Sequence, residues 1–184
     1  YTREYFLSNP DQIFAIKLTS SKKGKLDFEL KFDSQLKYKI TTNGNELKAS
    51  GYAPIVALPS YLGDKENAVV FDETKGTRFA SFFNIKNTDG QVVNTDSSLE
   101  VKDATEAVIL VSIATSFNGF DKDPVKQGKD FTGIAASNLK KAAGKSFEEL
   151  KKAHIADYQQ FFNRVELKLG ATTAPNLPTN ERLK

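Results

Sequence analysis

The stretch "AVILVSIA", residues 107–114, is the most apolar run in the chain. Its positions do not alternate between apolar and polar, so it has no solvent face. Such a strand is buried on both sides and lies centrally in a sheet. The residues that follow, "ATSFNGFDKDP" (114–124), change character at once: two phenylalanines, an Asn-Gly pair and two aspartates closed by a proline. A strand that ends this way opens into a loop that is a plain turn, a metal site or one wall of a binding surface.

Outward from that run, the first two-thirds of the chain carry the period of β-structure. Residues 13–18 are apolar on both faces. Leu26, Phe28, Leu30 and Phe32 alternate with Asp27, Glu29 and Lys31, as in a half-buried strand. Leu36, Tyr38 and Ile40 repeat the pattern, Asn43-Gly44 supplies a tight hairpin turn, and residues 47–52 return. Phe79, Ser81, Phe83 and Ile85 alternate again up to Asp89-Gly90, and one or two short strands are expected over 92–101. Six or more strands with turn signals about every ten residues predict an antiparallel β-sandwich. Residues 53–78 hold two prolines and little alternation. A connection that long inside a domain is functional or is ordered by packing on something else.

After Pro124 the period becomes helical. Asp130 is placed to cap a helix running to about Ala143, with Gly144 at its end. Ser146 and Glu149 have the spacing of a capping box. Phe147, Leu150, His154, Tyr158, Phe161 and Val165 then form one apolar stripe on an amphipathic helix. "VELKLG" (165–170) is expected to be a short closing strand and "ATTAPNLPTN" (171–180) a linker. The predicted fold is therefore mainly β, a sandwich followed by two C-terminal helices. Its expected divisions are 1–128 (sandwich), 129–170 (helices and closing strand) and 171–184 (linker).

Composition narrows the function classes. The chain has 184 residues, 39% hydrophobic and 27% charged, as in globular proteins. Net charge is +3, with basic and acidic residues interspersed. Lys22, Lys23 and Lys25 surround Gly24 as a solvated hairpin tip, not a nucleic-acid surface. No apolar run approaches the roughly 20 residues of a membrane span. The absence of cysteine excludes disulfides, thiol catalysis and cysteine-held zinc. The chain begins at Tyr1 within a strand-like pattern and has no methionine. The expectation is a processed product or, in preference, an internal piece of a longer polypeptide.

No catalytic set emerges. His154 is the sole histidine and lies on the apolar stripe, so a packed imidazole is expected. Asp121 and Asp123 have a spacing that hints at calcium, but the glycine and distal glutamate of a helix-loop-helix calcium site are missing. Asp72 and Glu73 fit a solvated turn. Tyr52, Tyr61 and Phe117 fall near loops, where a flat ring can pack on a pyranose face. Phosphate-cradling, dinucleotide and nucleophile-elbow motifs are absent, and no cofactor or metal is expected.

Five segments together resemble glycoside hydrolase family 95, the inverting α-L-fucosidases and related α-L-galactosidases. They are "REYFLSNPDQIFAIKLT" (3–19), "KGTRFASFF" (75–83), "ATSFNGFDKDP" (114–124), "HIADYQQFFNRVELKLG" (154–170) and "LPTNERL" (177–183). They run in the family's order across nearly the whole chain. One departure is Asn180, where the family usually has Asp. The resemblance implies part of a super-sandwich N-terminal domain, joined in the parent to a helical linker and an (α/α)6-barrel that carries the catalytic residues. It implies a fucosylated glycan as the parent's substrate, a periplasmic or secreted location, and no catalytic residue in this chain. The 114–124 loop is then expected to dock through Phe117 and Phe120 on the adjoining barrel or helices, with a plain turn as an alternative. A lesser expectation is sugar contact through Phe117, Asn118 and Asp121. Self-association through the first strand, residues 2–7, is expected if that strand is a free edge. The competing reading is a free-standing sandwich that binds carbohydrate or protein.

Overall fold

The computed structural model describes residues 1–63, 65–168, 170 and 176–183. In chain order the strands are β1 (Thr2–Ser8), β2 (Ile13–Thr19), β3 (Leu26–Lys31), β4 (Lys37–Asn43), β5 (Glu46–Tyr52), β6 (Val56–Ala57), β7 (Val69–Val70), β8 (Arg78–Thr88), β9 (Gln91–Asn94), β10 (Ser98–Ala104) and β11 (Glu106–Thr115). The helices are α1 (Phe131–Ala143), α2 (Phe147–Phe162) and the single turn α3 (Thr179–Arg182). A six-stranded antiparallel sheet has the order β1-β2-β11-β8-β5-β4, and a three-stranded sheet the order β3-β10-β9. The apolar run at 107–114 is thus an interior strand, as its lack of a polar face predicts.

Alternation sorts the side chains into two cores. One face of the large sheet gives Leu47, Ile85, Ala107, Ile109 and Val111, which meet Leu26, Leu99, Val101 and Ala104 of the small sheet. The opposite face gives Ile13, Ala15, Val108 and Leu110, which meet Leu139 and Ala142 of α1 and Phe147 and Leu150 of α2. The sandwich therefore carries a third, helical layer. The sheet crossings are hydrogen-bonded at Thr105: its carbonyl accepts from the Ser20 N–H (2.8 Å) and its hydroxyl from the Gly24 N–H (3.0 Å). Asp89 in the β8–β9 turn accepts from the N–H groups of Thr105 and Glu106. Those donors, Thr105 first, hold its carboxyl down to about 2.

Both helices start where their caps predict. The Asp130 carboxylate accepts from the Gly133 N–H, and Ser146 with Glu149 forms the reciprocal capping box. The amphipathic stripe of α2, however, is split. Phe147 and Leu150 are buried, and His154 stacks on Phe6 of β1 with ring centroids 5.0 Å apart. Tyr158 and Phe161 are 53% and 64% exposed. The reason is geometric. A helix of 16 residues is about 24 Å long, and it crosses β2 and β1, after which the sheet ends. Lys151 holds it to Glu4 of β1 at 2.6 Å, and Asn9 to Asp157 at 3.3 Å. Beyond that point α2 projects past the edge.

One expectation fails locally. Residues 165–168 take no regular structure instead of a closing strand; that expectation also covers Leu169, outside the described residues. Val165 and Leu167 are exposed, so neither is packed into a sheet. The linker expected at 171–180 lies outside the described residues over 171–175. The long 53–78 connection contains a small antiparallel hairpin, β6 with β7, joined through a 3-10 turn at Ser60–Leu62. Its Ile55, Val56, Leu58, Tyr61 and Val69 are exposed. No helix among the described residues is long and apolar enough to cross a membrane.

Candidate functional site

The loop after β11 is built on a buried serine. The Ser116 N–H donates to the Arg78 carbonyl (2.9 Å), and its hydroxyl accepts from the Arg78 N–H (2.9 Å). The Lys129 N–H donates to the Ser116 carbonyl (3.0 Å), which closes the loop base. A Cβ on Gly128 would stand 2.2 Å from the Pro124 carbonyl oxygen and 2.9 Å from Ser116, so the base tolerates only glycine there.

Inside that base the polar residues are spent on the loop itself. Asn118 donates from Nδ2 to the Gln127 carbonyl (2.9 Å). The Asp123 carboxylate accepts from the N–H groups of Lys126 and Val125, which together hold its carboxyl below the usual carboxylate range. Gly119 takes a φ of 116°, which lets the chain reverse. Asp121 pairs with the neighbouring Lys122 at 3.1 Å on the surface. Phe117 is 53% exposed and Phe120 98% exposed. The loop therefore brings Phe117, Asn118 and Asp121 close in sequence, with Asn118 bracing the turn and the phenylalanines displayed. Among the described residues no group of three or more metal-ligating side chains converges.

A second feature was not legible in the sequence. On the helical side of the large sheet, α1 covers β8 and β11 and leaves β4 and β5 open. The register sets Lys37, Tyr52 and Arg78 side by side across three strands; Lys39 and Ser50 form the next row, and Thr41 and Lys48 the third. With Phe131 and Thr132 of α1 as a wall, the residues of these rows other than Thr41 line a groove of about 390 Å³. The Lys48 ammonium lies 5.2 Å over the Phe82 ring and that of Lys37 5.4 Å over Phe71. Arg78 reaches the Glu73 carboxylate at 3.8 Å and donates to the Glu73 carbonyl at 2.8 Å. Of the three tyrosine and phenylalanine candidates for stacking, Tyr52 lines this groove, Tyr61 stands apart on the 3-10 turn and Phe117 sits in the loop above the Arg78–Ser116 base. The only early signal was "KYK" at 37–39, whose lysines read as an ordinary solvent face until β4, β5 and β8 are aligned.

The third feature is apolar: Tyr158, Phe161 and Phe162 on the projecting part of α2, with Tyr158 and Phe162 stacked at 5.2 Å. 

Comparison with known proteins divides the chain near the start of α2. Residues 1–119 match the family described as "Glycosyl hydrolase family 65, N-terminal domain". Residues 146–184 match "Glycosyl hydrolase family 95 catalytic domain". Among curated proteins, "Alpha-L-fucosidase 2" of Arabidopsis thaliana is 32% identical over 190 residues, covering 100% of this chain and 22% of that protein. The chain thus spans about a fifth of the relative's length. The family number expected from the five quoted segments enters with the second match, which begins at Ser146, the cap of α2.

Proposed function

Since this chain belongs to the family of the glycosyl hydrolase family 65 N-terminal domain, we propose that it is the non-catalytic β-domain portion of an inverting α-L-fucosidase acting on fucosylated glycans. The observation that carries this reading is the identity to an α-L-fucosidase across the whole of this chain but only a fifth of that protein. Inversion needs a general acid and a base on opposite sides of the bond, roughly 6.5–9.5 Å apart. In this reading both carboxyls belong to a barrel domain of the same polypeptide. The role of the 184 residues is to seat that barrel.

Two surfaces support the seating role. The aromatic end of α2 is exposed, and it lies within the stretch that matches a catalytic domain. The 117–128 loop displays Phe117 and Phe120 from a closed base. Residues 1–128 then act as the sandwich, 129–170 as the helical connection and 171–184 as the lead into the barrel. Export to the periplasm or the medium belongs to the same reading; fractionation of the producing cell tests it. Self-association of the isolated chain through the free edge of β1 belongs to it as well, because Tyr5 and Leu7 are exposed there.

The test is direct. The chain alone and a longer polypeptide that includes the barrel are assayed on an aryl α-L-fucoside and a 2′-fucosylated glycan. Turnover by the longer polypeptide and none by the chain is expected. Hydrolysis by the purified chain sinks the non-catalytic assignment, and an inactive longer polypeptide sinks the fucosidase assignment.

A further inference from the structure

We propose that the open groove over β4 and β5 binds an anionic carbohydrate, one carrying a sulfate ester or a uronate carboxylate. The inference rests on the glycoside hydrolase reading for the sugar and on the groove itself for the charge.

Four cations, Lys37, Lys39, Lys48 and Arg78, line the groove against one carboxylate, Glu73. Glu73 is already engaged with Arg78. The ion pairs among the described residues include none of the three lysines. Two further acids are engaged elsewhere: Glu46, at the far end of β5 on the same face, accepts from Asn84 at 3.3 Å, and Asp130, which precedes the Phe131–Thr132 wall, caps α1 by accepting from the Gly133 N–H at 2.9 Å. Like charges gathered without counter-charges raise the local potential, and a groove focuses it.

Shape adds what charge lacks. Neighbouring strands are about 4.8 Å apart, and rows on one face repeat about every 6.8 Å along a strand. The run from the Lys37 row to the Lys48 row is therefore about 13–14 Å long, the reach of a short oligosaccharide. The floor between the ends is Ser50, small and hydroxylated. Tyr52 supplies a ring at one end, held edge-on to Phe71 at 6.0 Å. A pyranose needs an apolar plate and hydroxyl partners; its acidic substituent needs a cation. All three occur here in one groove. The cations lie at fixed register on paired strands, and the Lys37 and Lys48 ammonium groups are already placed over the Phe71 and Phe82 rings, so less ordering is required on binding.

The full 184-residue chain is titrated calorimetrically with four probes: a sulfated galactan tetrasaccharide, a galacturonic acid tetrasaccharide, the desulfated neutral galactan and inorganic sulfate. At least one acidic tetrasaccharide is expected to bind about tenfold or more tightly than the neutral one and than inorganic sulfate, and to weaken as salt rises. Comparing the two acidic probes tells sulfate from carboxylate. The Lys37→Gln/Lys39→Gln variant should lose about tenfold in affinity with its melting temperature unchanged, whereas Lys22→Gln/Lys23→Gln should lose nothing. Equal binding of the neutral sugar, equal binding of inorganic sulfate, equal competition by a single-stranded oligonucleotide, no binding by a folded chain, or an unaffected lysine variant overturns the proposal. The readout is binding, so it is separable from turnover. An active fucosidase whose groove takes no acidic sugar refutes this inference alone, and a groove that binds in an inactive polypeptide refutes the fucosidase reading alone.

Discussion

Leu150→Ala against Phe161→Ala tests how α2 is seated. Both positions lie on the same helical stripe. Leu150 is fully buried against Ile13, Val108, Leu110 and Leu139, whereas Phe161 is 64% exposed. Truncating a buried leucine removes its transfer free energy and leaves a cavity, a loss of about 2–5 kcal/mol. In a chain of this size each kcal/mol moves the melting temperature by about 2–4 °C, so Leu150→Ala should melt roughly 5–15 °C lower. Phe161→Ala removes a larger side chain but little buried area, and should stay within about 0.5 kcal/mol of the parent. Thermal melts by circular dichroism and urea titrations of the chain measure both. A Leu150→Ala protein that melts within about 2 °C of the parent means that α2 is not docked on the sheet. A Phe161→Ala protein as damaged as Leu150→Ala means that the helix does not overhang β1. In the longer polypeptide Phe161→Ala should become costly, because the proposed barrel would cover that ring.

Asp89→Asn keeps an acceptor in the β8–β9 turn and deletes the charge. The carboxyl is depressed to about 2, so its contribution is present above the unfolded value of about 3.9 and is lost as pH falls toward the folded one. The variant should melt lower than the parent at pH 7, with the difference closing below pH 4; a gap independent of pH refutes the assignment. Gly51→Ala places a Cβ 1.9 Å from the Lys37 carbonyl oxygen, and should cost about 2 kcal/mol or more by forcing β4 away; an unchanged urea midpoint would show that the strands are not that close. Ser112 carries a buried hydroxyl with no hydrogen-bond partner among the described residues, so Ser112→Ala should raise stability by about 1 kcal/mol, and a lower melting temperature would reveal a partner. Light scattering over a concentration series should show association of the chain that Leu7→Lys reduces; a monomer at high concentration with residues 5–7 protected from hydrogen exchange contradicts it.

Patterns confined to one segment were readable in advance. The two-faced apolar run of β11, the alternation of β3 and the hairpin turn after β4 each report a local environment, and all three occur, the turn one residue later than expected, on Gly44-Asn45 between the paired Asn43 and Glu46. So do the Asp130 cap and the Ser146–Glu149 box, because a cap needs only residues three positions apart. Features that depend on distant segments were not readable. Lys37, Lys48 and Arg78 become neighbours only through the register of three strands. The stripe of α2 gives the phase of its apolar face, but not where the sheet beneath it stops; hence Phe147 and Phe161 looked equivalent and are not. In the 114–124 loop the residue types were legible and their use was not: Asn118 and Asp123 suggested ligands, and each satisfies backbone groups of its own loop.

The two-faced burial of β11 also bears on how the molecule comes apart. Ile109 and Val111 belong to the core between the sheets, and Val108 and Leu110 to the core under the helices. Adjacent residues on one backbone thus serve separate cores, and neither can loosen without shifting the strand that anchors the other. The helical layer is therefore not an independent flap. Amide protons of β11 are expected to exchange only when both layers open together, and a pull applied to α2, at the end proposed to meet the barrel, should be resisted by the sandwich as a whole.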